Sequence, residues 1–425
     1  GENLCTHEIE VYAYAILPQR GIEMECILHI GTEKTGTTLL QDWMYDNINE
    51  LGENGVYLSR NLEFPNNRLL PSYFQGHLDE WAFQKKITTQ ALKQEFFDGF
   101  VERFRSEVDE VSGRFSHFII TSEHFHSRLI KKDEIRNLFE VLNSCFEKVK
   151  VICYFRNQFD VAVSLYSTAL KSGLSATLDE FLDRATPDNY YYNYLRIADQ
   201  WSDVFGARNC DFRVFNPESF LEGDLRKDFI KAAAPSLNLE NLNYLRNRAN
   251  ESLTSFQAAA FRAVNAKVPY WRDGMAGINE RNLTLQGTFL GLEELKIGKI
   301  SSHRRDEVEK KFRIVNELFF KQHFQSDNLF HKTQSREEAA AQKTTSCECA
   351  IEAALRATLS SHTRLLSEGR INFVRDLALK IKSGQPLNAN DALELMKVAL
   401  VARPEGAFIR DKVAEWSEDI SGKEK

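Results

Sequence analysis

The sequence predicts an α/β fold: a three-layer α/β/α arrangement around a central, mainly parallel sheet, followed by a small all-helical region at the C-terminus. Two observations support this prediction. Short apolar segments rich in β-branched residues alternate along the chain with longer segments that have helical periodicity. A polar turn with two glycines follows the first apolar segment. Strands that alternate with helices usually pair in parallel, because each helix returns the chain to the same end of the sheet.

Four segments have the pattern of buried strands, and helical segments lie between them. The predicted strands are residues 26–30, 118–121, 149–155 and 210–215. The predicted helices are residues 38–51, 89–111, 132–146, 160–171 and 191–205. Ligands of parallel sheets bind beyond the carboxyl ends of the strands, so functional residues are expected there.

Changes in composition divide the chain into four parts. Residues 1–23 precede the first strand as an N-terminal extension, and residues 24–330 form the main domain. Residues 331–348 are polar and predict a linker. Residues 349–425 have helical patterns and are expected to dock on the main domain or to contact a partner protein. Within the main domain, residues 52–88 are aromatic and irregular, which predicts either a lid over an acceptor site or a plain surface connection.

Composition excludes several classes of function. The chain has 425 residues, of which 43% are hydrophobic, and its net charge is −7. This negative charge argues against a general nucleic-acid-binding protein. No apolar run reaches the length of a membrane span, and residues 1–23 lack the pattern of a secretory signal, so a cytoplasmic protein is expected. The seven cysteines have no regular spacing and predict no metal site.

The turn after the first strand has the pattern of a loop that binds a phosphate group. It reads Gly-Thr-Glu-Lys-Thr-Gly-Thr-Thr over residues 31–38 and leads directly into a helix. The positive end of that helix attracts anions, and Lys34 adds a full charge. The candidate phosphate-binding residues are Lys34, Thr35, Gly36, Thr37 and Thr38. The alternative is a tight strand-to-helix turn with an incidental lysine.

The loop departs from the pattern of nucleoside triphosphatases. Those proteins have a glycine directly before the lysine and a single Ser or Thr after it that holds magnesium. Here Glu33 precedes Lys34, and the predicted strands 118–121 and 149–155 do not end in Asp. A nucleotide kinase on the same loop architecture is therefore an alternative with less support.

A second segment carries another candidate phosphate ligand. Arg156 follows the strand 149–155, and Ser164 lies two helical turns further on. The strand end and the helix can bring both side chains onto one phosphate, for which a planar guanidinium is well suited.

The two segments together resemble the signatures of sulfotransferases that use 3′-phosphoadenosine 5′-phosphosulfate (PAPS), in particular bacterial carbohydrate-type enzymes. The matching residues are Lys34, Thr35, Gly36, Thr37 and Thr38 in the first signature, and Arg156, Asn157, Asp160, Ser164 and Tyr166 in the second. Gln158 replaces a proline of the family pattern. The resemblance covers roughly residues 26–330. It implies a P-loop-type fold, a 5′-phosphosulfate at the loop, the donor's 3′-phosphate at Arg156 and Ser164, and no metal.

The resemblance also implies an acceptor hydroxyl, with a carbohydrate or glycolipid as the leading candidate, and a catalytic base. Lys34 is expected to stabilise the leaving oxygen. Glu123 is the first candidate for the base and His124 the second, since strand alternation would direct only one of them inward. His77 and Glu63 are alternatives, and a polar helix start is the structural explanation for the cluster. Further phosphate neighbours are Arg246 and Arg248.

A third hypothesis is a non-catalytic protein that binds a partner through its C-terminal helices.

Overall fold

The computed structural model describes most of the main domain and parts of the C-terminal region. The described residues are 24–238, 240, 242–245, 252–272, 277–292, 295–296, 298–332, 352, 355, 377, 380, 386, 388–402 and 407–421. The predicted extension 1–23, residues 333–348 of the predicted linker, Arg246 and Arg248 lie outside the described residues.

The predicted α/β fold is confirmed. Five strands form one sheet in the order β2-β3-β1-β4-β5, and every neighbouring pair is parallel. The strands are β1 Glu25–His29, β2 Val56–Leu58, β3 His117–Thr121, β4 Lys148–Phe155 and β5 Cys210–Val214. Strand β1 lies in the centre, so the turn that follows it has β3 on one side and β4 on the other.

Residues 52–88 are more regular than the sequence indicated. They contain the edge strand β2, which pairs with β3, and two short helices. Leu58, Leu62 and Leu70 in this segment are buried. The expectation of an irregular segment is wrong because a strand of only three residues is too short to show an alternating pattern.

Helices cover both faces of the sheet, and further helices follow the last strand of the sheet along the chain. Those in the main domain are α1 Thr37–Asp46, α2 Ile48–Glu53, α3 Leu69–Phe74, α4 Glu80–Gln84, α5 Gln90–Phe96, α6 Phe100–Val111, α7 His124–Arg128, α8 Lys132–Cys145, α9 Gln158–Lys171, α10 Leu178–Leu182, α11 Tyr194–Phe205, α12 Leu225–Ala233, α13 Ser255–Lys267, α14 Glu280–Gly291 and α15 Arg305–His323. Trp271–Arg272 and Gly277–Ile278 form a short antiparallel pair. Within the described part of the chain, no helix has both the length and the apolar character needed to cross a bilayer.

Side-chain alternation along β1 separates two cores. Cys26 and Leu28 belong to a core that includes residues of α6, α8 and α11. Ile27 belongs to the opposite core, which includes residues of α1 and α12. This is the three-layer arrangement that alternating strands and helices predict.

A third core is helical and includes side chains of α9, α10, α13, α14 and α15. Leu355 and Leu377 of the C-terminal region are buried in it. Arg262 of α13 forms an ion pair with Glu352 at 2.6 Å and donates a hydrogen bond to the Tyr166 hydroxyl at 3.0 Å. Two further helices, Ala389–Ala402 and Ala407–Ser421, confirm the helical character of the C-terminal region.

Candidate functional site

The phosphate-loop candidate, residues 31–38, lies at the carboxyl end of β1. Backbone hydrogen bonds join it to β4: Thr32 N–H donates to the Tyr154 carbonyl at 2.9 Å, and Tyr154 N–H donates to the Gly31 carbonyl at 2.7 Å. Gly36 has a φ of 76° immediately before α1, a left-handed conformation that glycine adopts readily. A Cβ atom at this position would lie 2.6 Å from Leu225 Cδ2. The turn therefore requires the glycine for its backbone angle, and a larger residue would also displace the Leu225 side chain.

The threonines of the loop have different environments. The Thr35 hydroxyl donates to the Thr32 carbonyl at 2.7 Å, so it stabilises the loop itself. Thr37 is buried and Thr38 exposed at the start of α1. The first N–H groups of a helix have no intrahelical partner, so those at the start of α1 are placed to receive an anion.

Lys34 extends from the loop to helix α9. Its ammonium group donates to the Thr168 hydroxyl at 2.7 Å. Burial lowers the pKa of Lys34, while the neighbouring Glu33 carboxylate opposes that shift. Thr168 lies one helical turn after Ser164, so both side chains are on the same face of α9. No local sequence pattern indicates Thr168, because it meets the loop only in the folded chain.

Arg156 follows β4 and contacts the phosphate loop directly. Its Nη1 donates to the Lys34 backbone carbonyl at 3.1 Å. The guanidinium lies over the Phe215 ring at 5.5 Å from its centroid, and the Tyr194 hydroxyl donates to the Arg156 carbonyl at 2.7 Å. The two segments that the sequence singled out are thus adjacent at one edge of the sheet.

A cleft of about 250 Å³ opens beside Arg156 and Ser164. Its other polar lining residues are Asp160, Ser252, Lys299, Ser301, Ser302, His303 and Arg305. The Arg305 guanidinium pairs with Asp160 at 2.5 Å and lies over the Phe159 ring at 4.4 Å. Hydroxyl and cationic groups predominate in this lining, which suits a phosphate. The polar run 299–305, which contains one Lys, two Ser, one His and two Arg, is the sequence feature that could have indicated this side of the cleft.

Glu123 and His124 lie on the other flank of the loop, after β3. The Gln41 amide donates to Glu123 Oε2 at 2.7 Å, and His124 Nε2 lies 4.0 Å from Glu123 Oε1. Burial raises the pKa of Glu123. Burial, and then the positive charge of Arg68, lowers the pKa of His124 to about 3, so this imidazole is neutral near pH 7.

The expectation that only one of Glu123 and His124 points inward is wrong. Their side chains are 16% and 21% exposed, respectively, so both are largely buried. The reason is local: β3 ends at Thr121, and Glu123 already has helical φ and ψ angles of −65° and −15° at the start of α7. Strand alternation therefore no longer applies.

The two alternative bases have other contacts. His77 has an exposed side chain. Glu63 accepts a hydrogen bond from the Trp81 indole at 2.9 Å and pairs with Lys85 at 2.7 Å. Glu123 lies directly against the loop, since a Cβ atom at Gly31 would be 3.2 Å from Glu123 Cα. Of the four candidates, Glu123 and the adjacent His124 therefore lie beside the loop.

Glu33 is fixed by a ring of hydrogen bonds that the sequence did not predict. Its N–H donates to His126 Nδ1 at 3.3 Å, His126 Nε2 bonds the Tyr191 carbonyl at 2.8 Å, and the Tyr191 hydroxyl donates to Glu33 Oε2 at 3.0 Å. This pattern requires a neutral imidazole protonated on Nε2, and burial lowers the pKa of His126 accordingly. The ring holds the backbone directly before Lys34.

Comparisons with known proteins add little to this geometry. No family model matches the chain, and no solved structure matches it. A protein of Archaeoglobus fulgidus, described as uncharacterized, is 24% identical over 219 residues, which cover 50% of this chain and 55% of that protein. The chain thus spans about half the length of this relative.

The described residues include no group of three or more His, Cys, Asp or Glu side chains that could hold a metal ion. The expectation of a reaction without a metal stays a prediction.

Proposed function

We propose that this protein is a sulfotransferase that moves a sulfuryl group from PAPS to an acceptor hydroxyl, most suitably on a carbohydrate or glycolipid. One observation carries the proposal: the Arg156 guanidinium donates to the Lys34 backbone carbonyl at 3.1 Å. Two segments with phosphate-binding patterns, separated by about 120 residues, therefore meet. A nucleotide with phosphates at both its 3′ and 5′ positions requires two such sites close together.

The donor is assigned to the site as follows. The loop N–H groups and the Thr37 and Thr38 hydroxyls hold the 5′-phosphosulfate at the positive end of α1. Arg156 and Ser164 hold the 3′-phosphate in the 250 Å³ cleft. The Lys34 ammonium bonds Thr168, one turn of α9 after Ser164, so the lysine reaches the helix that carries Ser164.

In the reaction, the acceptor oxygen forms a bond to sulfur while the bond between sulfur and the bridging oxygen of the donor breaks. The electron pair of that bond remains on the 5′-phosphate, where Lys34 stabilises the new charge. Glu123 accepts the proton of the acceptor hydroxyl, with His124 as the second candidate. Adenosine 3′,5′-bisphosphate and the sulfate ester are the products.

The test has two parts. Calorimetry should detect binding of adenosine 3′,5′-bisphosphate and much weaker binding of ATP, and incubation with sulfur-labelled PAPS and a glycan panel should yield labelled product. Lys34→Ala should lower transfer by roughly 100-fold or more, which is typical of removing one group that stabilises developing charge. Lys132→Ala is the control, because this exposed lysine pairs with Asp203.

Preferred binding of ATP would favour a kinase-like enzyme instead. Binding of neither nucleotide would favour a non-catalytic protein that acts through its C-terminal helices. The cytoplasmic location and a protein contact through those helices stay predictions.

A further inference from the structure

We infer that the acceptor is an uncharged, hydroxyl-rich molecule such as a neutral sugar, and not a uronate-bearing or sulfated polymer. This inference rests on the proposed function, because it names the acceptor of the same site. Strands β3 and β4 lie on opposite sides of β1. The phosphate loop therefore has Arg156 on one flank and Glu123 on the other. Since the donor's 3′-phosphate is assigned to the Arg156 flank, the acceptor meets the Glu123 flank.

The arginines of the Glu123 flank already have carboxylate partners. Arg68 forms an ion pair with Asp79, and both side chains are at least 95% buried. Arg128 pairs with the same Asp79 carboxylate at 2.7 Å and lies 4.0 Å from Glu33. Glu80 also lies 3.8 Å from Arg128, so four described carboxylates, Asp79, Glu33, Glu80 and Glu123, surround two guanidinium groups. An anionic acceptor would have to compete with these carboxylates for the same arginines, whereas an uncharged acceptor would not.

Buried polar atoms without a protein hydrogen-bond partner lie on or next to α3 and α7, the helices of the Glu123 flank. Helix α3 packs against α7. Several side chains on or next to these helices have a buried nitrogen or oxygen with no hydrogen-bond partner among the described residues. Among these atoms are Arg68 Nη1, Ser72 Oγ, Gln75 Oε1, Ser122 Oγ and His124 Nδ1. Buried polar atoms are rarely left without a partner in folded proteins, so these atoms indicate ordered water or a polar ligand at this position.

The mixture of donors and acceptors indicates which polar ligand fits. Arg68 Nη1 can only donate, Gln75 Oε1 can only accept, and the two serine hydroxyls can do both. A sugar hydroxyl also donates and accepts, so it can bond each of these atoms. A sulfate or carboxylate group has only acceptors, so it cannot itself bond Gln75 Oε1.

A second cleft, of about 680 Å³, includes Tyr73, Gln75 and Gly76 at the end of α3 and shares Gln75 with the unpartnered atoms. Its lining includes the amides Gln75, Gln90 and Gln94 and the rings of Tyr73, Phe97 and Phe100. The lysine of this lining, Lys93, bonds the Gln75 carbonyl, and the lining also contains Asp98 and Glu102. Amides bond hydroxyl groups, and aromatic rings pack on apolar faces, whereas the two acidic residues disfavour a polyanion.

The experiment compares matched acceptors with sulfur-labelled PAPS. Neutral oligosaccharides and oligosaccharides of the same length that contain uronate or sulfate groups are incubated separately, and products are identified by mass. We expect kcat/KM to be at least tenfold higher for neutral acceptors. We also expect their KM to be insensitive to salt, because no charge is matched across the interface. A preference of tenfold or more for the anionic acceptors would overturn the inference.

Charge-removing variants give a second measurement. Asp79→Asn removes a carboxylate from both arginines while preserving a side-chain oxygen that caps α4. We expect it to shift the preference toward uronate acceptors by about tenfold, and Asp203→Asn, at an exposed pair with Lys132, to leave the preference unchanged. If Asp79→Asn does not fold, Glu80→Gln, 3.8 Å from Arg128, should shift the preference in the same direction. An unchanged preference in the folded variants would also count against the inference.

Failure of the inference and failure of the proposed function give different results. If adenosine 3′,5′-bisphosphate binds and PAPS is consumed, but anionic acceptors are preferred, only the inference is wrong. If the bisphosphate does not bind and no acceptor is sulfated, the proposed function is wrong.

Discussion

Replacing Arg156 with alanine gives the most direct test of how the site would hold its nucleotide. A hydrogen bond to a charged group contributes about 1.5–3 kcal/mol. Because 1.4 kcal/mol corresponds to a factor of ten, Arg156→Ala should weaken binding of adenosine 3′,5′-bisphosphate roughly 10- to 100-fold. The variant also loses the bond from the guanidinium to the Lys34 carbonyl, which stabilises the loop. This second loss should weaken adenosine 5′-phosphate and the bisphosphate by the same factor, since the same loop would hold the 5′-phosphate of both.

Calorimetry with both nucleotides separates the two effects. In the native protein the 3′-phosphate should strengthen binding, and in Arg156→Ala most of that gain should disappear. Arg156→Lys keeps the charge but not the planar fork, so it should recover only part of the gain. Arg136→Ala is the control, because Arg136 is about half exposed and pairs with Asp133 in α8. Equal weakening of both nucleotides in Arg156→Ala would refute the assignment of Arg156 to the 3′-phosphate.

Three further predictions concern catalysis and stability. Glu123→Gln should remove the acidic limb of the pH–rate profile. The raised pKa of Glu123 places this limb above pH 4.5. If Glu123→Gln leaves the profile intact and His124→Ala lowers the rate, then His124 is the base. Gly36→Ala should lower the free energy of unfolding by about 1–2 kcal/mol, because alanine is strained at a φ of 76°, and a urea titration measures this. Burial lowers the pKa of His29 from 6.5 to about 3, so between these pH values the unfolded chain binds a proton that the folded chain does not. The free energy of unfolding therefore decreases as the pH falls from 6.5 toward 3. Urea titrations should show His29→Gln reducing that decrease by about 1.4 kcal/mol per pH unit, and an unchanged slope would contradict the assignment.

The sequence predicted those parts of the fold that have a long local pattern. The segments of β1, β3, β4 and β5 are recognisable because each contains at least three apolar or β-branched residues. Strand β2 and the helix breaks were not recognisable. The predicted helix 38–51 ends at Asn47, and the predicted helix 89–111 is interrupted at Gly99, whose φ is 64°. Apolar periodicity continues across both positions, so it cannot locate these breaks.

In the candidate site, too, only residues that belong to a local pattern could be predicted from the sequence. Lys34 and Arg156 could be found because each follows a recognisable strand. Thr168, His126 and Tyr191 could not, because their contacts with Lys34 and Glu33 join residues that are 134, 93 and 158 positions apart. Such contacts depend on how helices pack, which a local pattern does not encode.

The salt bridge between Arg262 and Glu352 makes the stability of the main domain depend on a residue of the C-terminal region. Both side chains are nearly inaccessible to solvent, and removing one partner of such a pair typically lowers stability by about 3–5 kcal/mol. Arg262 also bonds Tyr166 of α9, the helix that carries Ser164. A polypeptide that ended before position 352 would therefore keep the Arg262 guanidinium buried without its carboxylate partner, against the helix that carries Ser164.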